Sequence, residues 1–232
     1  MTKFLRILND FLSLFFPYTC NSCNERLLNN EHLICTDCLY NLPKTNYHLE
    51  NDNPISQIFW GRVEIENATS LFFFNKGSRY QELIHKLKYN GKKEIGLELG
   101  KYFASFLIES ESFRIFDYII PVPLHPKKEK KRGYNQSYWF ALGLNQIYKT
   151  KVDVDILYRT IETSTQTNKS RFERWENVGE VFKIRDNITL RDKKILLVDD
   201  VLTTGATIEA CAKALLETEG ARVSVATIAV AN

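Results

Sequence analysis

No apolar run in this sequence reaches the ~20 residues that a membrane-spanning helix requires. Charge of one sign is not in excess either. Lysine and arginine number 31 against 28 acidic residues, a net +3, which is weak for a dedicated nucleic-acid binder, although a local basic cluster could still act. A phosphate loop ending in GK[ST] is missing, and so is GxGxxG, so a nucleoside triphosphate or dinucleotide site is unsupported. Internal repeats and low-complexity tracts are lacking as well. The opening "MTKFLRILNDFLSLFFPYTC" has Asp10 inside its apolar run and no small-residue cleavage site after it, so a secretion signal is not expected and the cytoplasm is. Phe4, Leu5, Leu8, Phe11, Leu12 and Phe15 instead recur at helical spacing. They predict an amphipathic helix packed on the body of the protein. A membrane-surface helix would want a polar face rich in lysine and arginine, which this one lacks.

Apolar content of 44% suits a globular chain long enough for one substantial domain and a small module. Four of the five cysteines, Cys20, Cys23, Cys35 and Cys38, fall in "CNSC" and "CTDC". Each pair sets two thiolates on a tight turn, and two facing turns complete a tetrahedron, the pattern of a structural Zn2+ ribbon or knuckle. A metal there would supply folding energy that so short a segment cannot gain from a core. Two disulfides are the alternative in an oxidising compartment, and His32, between the pairs, could replace one cysteine. Cys211 lies at helical spacing between Ile208 and Leu215 and reads as a buried, inert thiol.

The segment "YNLPKTNYHLENDNP" is polar and turn-rich and reads as a linker. Beyond it, "ATSLFFF" reads as a strand and "SRYQELIHKLKYN" as a helix, with Ser78 as a cap, Tyr80, Leu83, Ile84 and Leu87 on one face, and Gly91 closing it. Helices are also expected over Lys93 to Glu109 and Tyr134 to Tyr148. "DYIIPVP", "VGEVFKI", "KKILLVDD" and "ARVSVATIAVA" read as strands. Strands alternating with helices predict an α/β domain with a mostly parallel sheet flanked by helices.

In such a sheet ligands bind beyond the carboxyl ends of the strands. "ILLVDD" delivers Asp199 and Asp200 there, and "VLTTGAT" turns the chain into a helix. Backbone N–H groups and the helix dipole favour an anion in that turn. Gly205 admits close approach, and Thr203, Thr204 and Thr207 add hydroxyl donors. That is a cradle for a monophosphate, and the two acids suit the hydroxyls of its sugar. A phosphorylated pentose satisfies both halves.

The string of apolar strand, two acids and "VLTTGAT" resembles the phosphoribosyl pyrophosphate (PRPP) signature of type I phosphoribosyltransferases. "DYIIPVPLHPKKEKKRGYNQS", "LIHKLKYNGKKEIG", "RTIETSTQTNKSRFERWENVGEVF" and the paired cysteines extend the likeness over almost the whole chain to the ComF family, the competence-related branch with an amino-terminal zinc ribbon. The resemblance implies residues 1–45 as helix and zinc ribbon and 46–232 as the phosphoribosyltransferase-like domain. It implies that Asp199 and Asp200 bind the ribose hydroxyls, and Thr203, Thr204, Gly205, Ala206 and Thr207 the 5-phosphate. Pro123, Leu124 and His125 would form the pyrophosphate loop. Arg159, Gln166, Arg171 and Arg174 would belong to a mobile loop that closes over the site. Mg2+ would accompany PRPP and neutralise the leaving diphosphate.

Lys127, Lys128, Lys130, Lys131 and Arg132 form a basic run just after that loop. It is either an anion-contacting surface, with Lys127, Lys128 and Arg132 foremost, or a solvated face, or a contact for nucleic acid backbone. Tyr134, Tyr138, Trp139 and Phe140 follow it, and the last two read as core before they read as a platform for bases. His125 reads equally as a structural histidine or a ligand contact, and His85 as exposed. Two functions follow from the resemblance. One is a pentosyl-transferring glycosyltransferase, dependent on Mg2+, that passes a phosphoribosyl group to an acceptor base or amine. The other is a DNA-uptake helper without catalysis that binds PRPP or nucleotides, single-stranded DNA and DNA-uptake proteins.

Overall fold

The computed structural model describes residues 17–160, 181–185 and 190–231. The expected amino-terminal helix lies outside the described residues, as do Gln166, Arg171 and Arg174. In chain order the helices are α1 (Thr36–Tyr40), α2 (Pro54–Gln57), α3 (Arg79–Tyr89), α4 (Glu94–Leu107), α5 (Pro126–Arg132), α6 (Gln136–Tyr148) and α7 (Ala206–Leu216). The strands are β1 (Ala68–Phe74), β2 (Tyr118–Pro121), β3 (Lys151–Val152), β4 (Leu157–Arg159), β5 (Phe182–Ile184), β6 (Lys194–Leu202) and β7 (Arg222–Ala231). Among the described residues no helix is long and apolar enough to cross a membrane.

The central sheet runs β1-β7-β6-β2-β3 with every pairing parallel. Its long middle strands are apolar almost throughout because both faces are covered. Side chains alternate across the pleat. Ile119, Leu196 and Val198 meet Leu83, Leu87, Leu99, Phe103, Phe140 and Leu144 on one face. Ile120, Ile195 and Leu197 meet Ile208, Cys211 and Leu215 on the other. Helices α3, α4 and α6 therefore cover one side and α7 the other. The expected α/β architecture is what the chain adopts.

Two local readings need correction, and two features come from the structure alone. The segment taken for a linker is held against β1: the Thr45 N–H donates to the Leu71 carbonyl, the Phe73 N–H donates to the Pro43 carbonyl, and Asn53, 1% exposed, donates its side-chain amide to Tyr47, Glu50 and Ala68 carbonyls. Thr45 and Asn53 are buried on internal hydrogen bonds, while Asn41, Asn46, Glu50, Asn51 and Asp52 stay exposed. Ser78 does precede α3, but its hydroxyl makes no capping bond and is buried without a partner. Strand β4, unforeseen, pairs antiparallel with β5 and places Arg159 at a strand end, its guanidinium 5.3 Å from the Phe182 ring centre. The basic run is the short helix α5.

The α4–α6 contact depends on two glycines. A Cβ on Gly143 would lie 2.2 Å from the Leu97 carbonyl oxygen, and one on Gly100 2.3 Å from that of Phe140. Both obstacles are backbone, so neither can swing aside, and the helices must separate if either glycine gains a side chain. Because α6 begins at the active edge of the sheet, separation would also move its first turn. Gly143→Ala is expected to cost about 1–3 kcal/mol, the usual penalty of overpacking. A lowered thermal unfolding midpoint would show it, and an unchanged midpoint would refute the crossing.

Candidate functional site

Strand β6 does not stop before its acids. It carries Asp199 and Asp200 within its pairing and ends at Leu202. Pleat parity sets Asp200 with Leu196 and Val198, toward α3, and Asp199 with Ile195 and Leu197, toward α7. The Asp199 carboxylate accepts from the Ser137 hydroxyl at 2.8 Å and from the Asp200 N–H at 2.8 Å. Burial, then the neighbouring Asp200 charge, pushes its pKa up to about 7. Asp200 pairs with the Lys88 ammonium of α3 at 3.2 Å.

Past Leu202, residues Thr203, Thr204, Ala206 and Thr207 are exposed around a small cavity that Asp199 also lines. Gly205 is the N-cap of α7 with φ of +76°, a left-handed conformation that glycine tolerates without strain. A Cβ there would also approach the Ile58 side chain to 2.9 Å. The first N–H groups of α7 have no intrahelical acceptors and face the turn. Arg62 braces this turn from outside. Its Nη1 donates to the Thr204 carbonyl at 3.0 Å and its Nε to Glu209 Oε2 at 2.9 Å. The cavity thus joins Asp199 to the Thr203–Thr207 turn, while Asp200 faces Lys88 beside it.

Pro123, Leu124 and His125 follow β2, the neighbour of β6. His125 is tied up locally: its Nδ1 accepts from the Lys127 N–H at 3.1 Å and caps α5. Lys127, Lys128, Lys130 and Lys131 are exposed. Arg132 is engaged, donating to Gln136 Oε1 at 2.9 Å and standing 5.4 Å from the Tyr89 ring centre. The "RGYNQS" residues act as fasteners. Asn135 accepts from the Ser137 N–H and donates to the Val122 carbonyl, joining α6 to the end of β2. The Tyr134 hydroxyl donates to the Leu87 carbonyl. Phe140 is fully buried, Trp139 lies under the Lys93 ammonium at 4.4 Å, and His85 is exposed.

The four cysteines meet. Their sulfurs all lie within 4.8 Å of one another, with Cys23 and Cys35 3.7 Å apart, and none is in a disulfide. A ~2.3 Å Zn–S bond implies sulfurs about 3.8 Å apart in a tetrahedron, so the set fits the metal. Backbone N–H groups of Ser22 and Cys35 donate to Cys20 Sγ. Burial raises the Cys20 thiol, but these donors and the Cys23 N–H outweigh it and bring it to about 7. His32 is exposed and stands outside the cluster. The cluster sits on α3: Ser22 donates to the Arg79 carbonyl, Lys86 to that of Asn21 and Tyr80 to that of Cys38.

Sequence reasoning missed Arg62, Lys88 and Ser137. Arg62 lies far from the signature and carries no local signal. Lys88 and Ser137 fall inside "LIHKLKYNGKKEIG" and "RGYNQS", where only the fold reveals which side chain reaches the acids.

A parallel sheet whose middle strand ends in two acids and a glycine-capped phosphate turn defines a phosphoribosyltransferase-like domain, and the family model for the phosphoribosyl transferase domain matches residues 146–232. The chain is 26% identical to the DNA utilization protein YhgH of Escherichia coli strain K12 over 209 residues, 89% of this chain and 87% of that one. It is 32% identical to the competence protein ComFC of Streptococcus pneumoniae over 154 residues, 66% and 63% of the two chains. With ComFC of Bacillus subtilis the identity is 25% over 202 residues, 85% and 78%. The chain is a ComF-family, type I phosphoribosyltransferase-like protein.

Two outcomes follow for the site as built. Protein purified under reducing conditions should carry one zinc per chain by elemental analysis. Cys23→Ser should release it and lower the unfolding temperature, because the metal contributes folding energy to a module with little core of its own. The acidic pair should oppose stability. A carboxyl held near 7 in the fold, above the ordinary 3.8, binds extra protons there, so stability falls as pH rises from about 4 to 7. Asp199→Asn keeps an oxygen that accepts both hydrogen bonds and removes the charge. It should therefore unfold at a higher temperature than the wild type at pH 8, and equal midpoints would count against the buried pair.

Proposed function

We propose that this chain binds PRPP and transfers its phosphoribosyl group to an acceptor base or amine, releasing pyrophosphate. The observation that carries this reading is a carboxylate, Asp199, and a glycine-capped helix N-terminus at one cavity, with Asp200 next to Asp199 in the strand. Asp199 and Asp200 accept from the ribose 2- and 3-hydroxyls. The Thr203–Thr207 turn takes the 5-phosphate through backbone N–H groups and threonine hydroxyls. Pro123, Leu124 and His125, one strand away, lie toward the diphosphate, with the exposed Lys127 and Lys128 following.

Displacing pyrophosphate places positive charge on the sugar ring and negative charge on the leaving group. The carboxylates of β6 lie where they stabilise the former. Hard oxygen donors line the cavity, a donor set suited to Mg2+, which when bound with the diphosphate supplies the charge that the leaving group needs. The cysteine cluster holds Zn2+ as structure, far in role from this chemistry, since four thiolates leave no open position.

A second reading has its own support. The relatives are named for DNA utilization and competence, and α5 presents four exposed lysines. On that reading the site is a PRPP or nucleotide sensor in a helper that handles single-stranded DNA and meets DNA-uptake proteins.

Calorimetry with PRPP and Mg2+ tests the site. The double variant Asp199→Asn, Asp200→Asn should lose about ten-fold or more in affinity, since each hydroxyl left without its charged partner costs about 1–3 kcal/mol. Wild-type affinity should also weaken as pH falls below 7, where Asp199 takes up its proton. Equal affinities in wild type and variant would remove the assignment. Pyrophosphate release across a panel of bases and amines distinguishes enzyme from helper. Tight, salt-resistant DNA binding lost in a variant with Lys127, Lys128, Lys130 and Lys131 replaced by alanine, with no release on any acceptor, would favour the helper.

A further inference from the structure

We propose that Lys88 is a positioning residue of the sugar-phosphate site, the cation that holds the Asp200 carboxylate in place toward the ribose. This deepens the reading above and rests on it. The salt bridge to Asp200, at 3.2 Å, is not a surface pair: the two side chains are 21% and 13% exposed. Two adjacent carboxylates at the end of one buried strand repel, and a cation close by offsets part of that repulsion. Lys88 is that cation. It comes from α3, outside the segment matched by the phosphoribosyl transferase family model, so the acidic pair of the signature is completed by a helix from another part of the chain.

The placement of Lys88 is held from three directions. Leu87, its neighbour, is fully buried, and its carbonyl accepts from the Tyr134 hydroxyl of the α5–α6 corner. Arg79 and Tyr80 at the start of α3 and Lys86, two residues from Lys88, fasten the helix to the cysteine module. The Tyr89 ring lies against the Arg132 guanidinium. A flexible surface lysine needs no such fixing, and here the helix is fixed at both ends with its charge directed inward.

The groups around the pair are few. Lys88 faces it from α3, and Ser137 gives Asp199 a neutral hydroxyl from α6. The Cys211 thiol of α7 feels Asp199 and stays protonated because burial raises it well above its ordinary value, while the Arg159 charge of β4 acts on it in the opposite direction. Lys88 also acts on Asp199, whose proton it helps to displace. Loss of Lys88 therefore frees the Asp200 side chain and removes a charge that lowers Asp199, so Asp199 holds its proton to higher pH.

The test compares wild type, Lys88→Met and Lys88→Arg for PRPP affinity by calorimetry with Mg2+ from pH 6.5 to 9, with circular dichroism and thermal unfolding as fold controls. Lys88→Met should bind at least ten-fold more weakly at pH 7 and recover part of the loss by pH 9, and Lys88→Arg should stay within about three-fold of wild type. Carbon-13 NMR of labelled aspartate should show the pair titrating at higher pH in Lys88→Met, a readout valid even if that variant binds nothing. A loss that is equal at every pH would mean that Lys88 touches the bound anion itself and would overturn the positioning role. Unchanged affinity with unchanged carboxyl titration would overturn it as well. If the wild type fails to bind PRPP at any pH, the functional reading falls instead, and the NMR titration still decides whether Lys88 governs the pair.

Discussion

Two negative charges at the end of one buried strand are the constraint around which this protein is arranged. No single helix supplies both acids: their partners come from two helices on one face of the sheet. One needs a donor from the α6 side and the other a cation from α3. The chain provides Ser137 and Lys88, at 2.8 and 3.2 Å. A fold selected for stability alone would place apolar side chains there, as β6 does at Leu196, Leu197 and Val198 just before. Keeping the acids costs stability at neutral pH, and strain or repulsion of this kind persists where a site requires it.

Precision at that point is set by close packing elsewhere. The Gly100–Gly143 crossing brings the backbones of α4 and α6 together, which fixes the start of α6 and with it Ser137. Asn135 ties the same helix start to the end of β2, so the loop after β2 and the donor to Asp199 move as one piece. Arg62 does the equivalent for the phosphate turn by holding the Thr204 carbonyl and Glu209 at once. A turn whose N–H groups are to receive an anion must not collapse onto its own carbonyls. Binding those carbonyls from the outside keeps the donors facing in.

The parts legible in the sequence were those whose physics is local. "ATSLFFF" gave β1 at its observed bounds because a continuous apolar run between turn signals has one sheltered use. "VDDVLTTGAT" was readable because acids, hydroxyls and glycine follow one another along a single strand–turn–helix. The cysteine spacing was readable because each pair is one turn. What escaped was long-range. No pattern around Arg62 announces a partner in Glu209, and Lys88 looks like any lysine on the polar side of a helix. The linker reading failed for a related reason: Asn53 and His48 look like turn residues, and only the fold shows their side chains buried against β1 and α4. β4 escaped because three residues paired across a gap in sequence leave too short a pattern to detect.

The cysteine module takes its meaning from the same constraint. It does not stand apart on a tether, since Cys20, Cys35 and Cys38 belong to the cluster of buried residues that includes Leu83, Leu87 and Phe103. Its hydrogen bonds go to α3 and, through Tyr102 and the Leu39 carbonyl, to α4. Helix α3 is three turns long and would be marginal by itself, because propensity alone rarely sustains so short a helix. A metal-closed module is a compact way to hold such a helix, since it adds folding energy without needing a core. The helix so held carries Lys88 to Asp200. The cysteine cluster and the acidic pair therefore act on one helix, Lys86 fastened to the first and Lys88 to the second, so the order of the first bears on the charge beside the second.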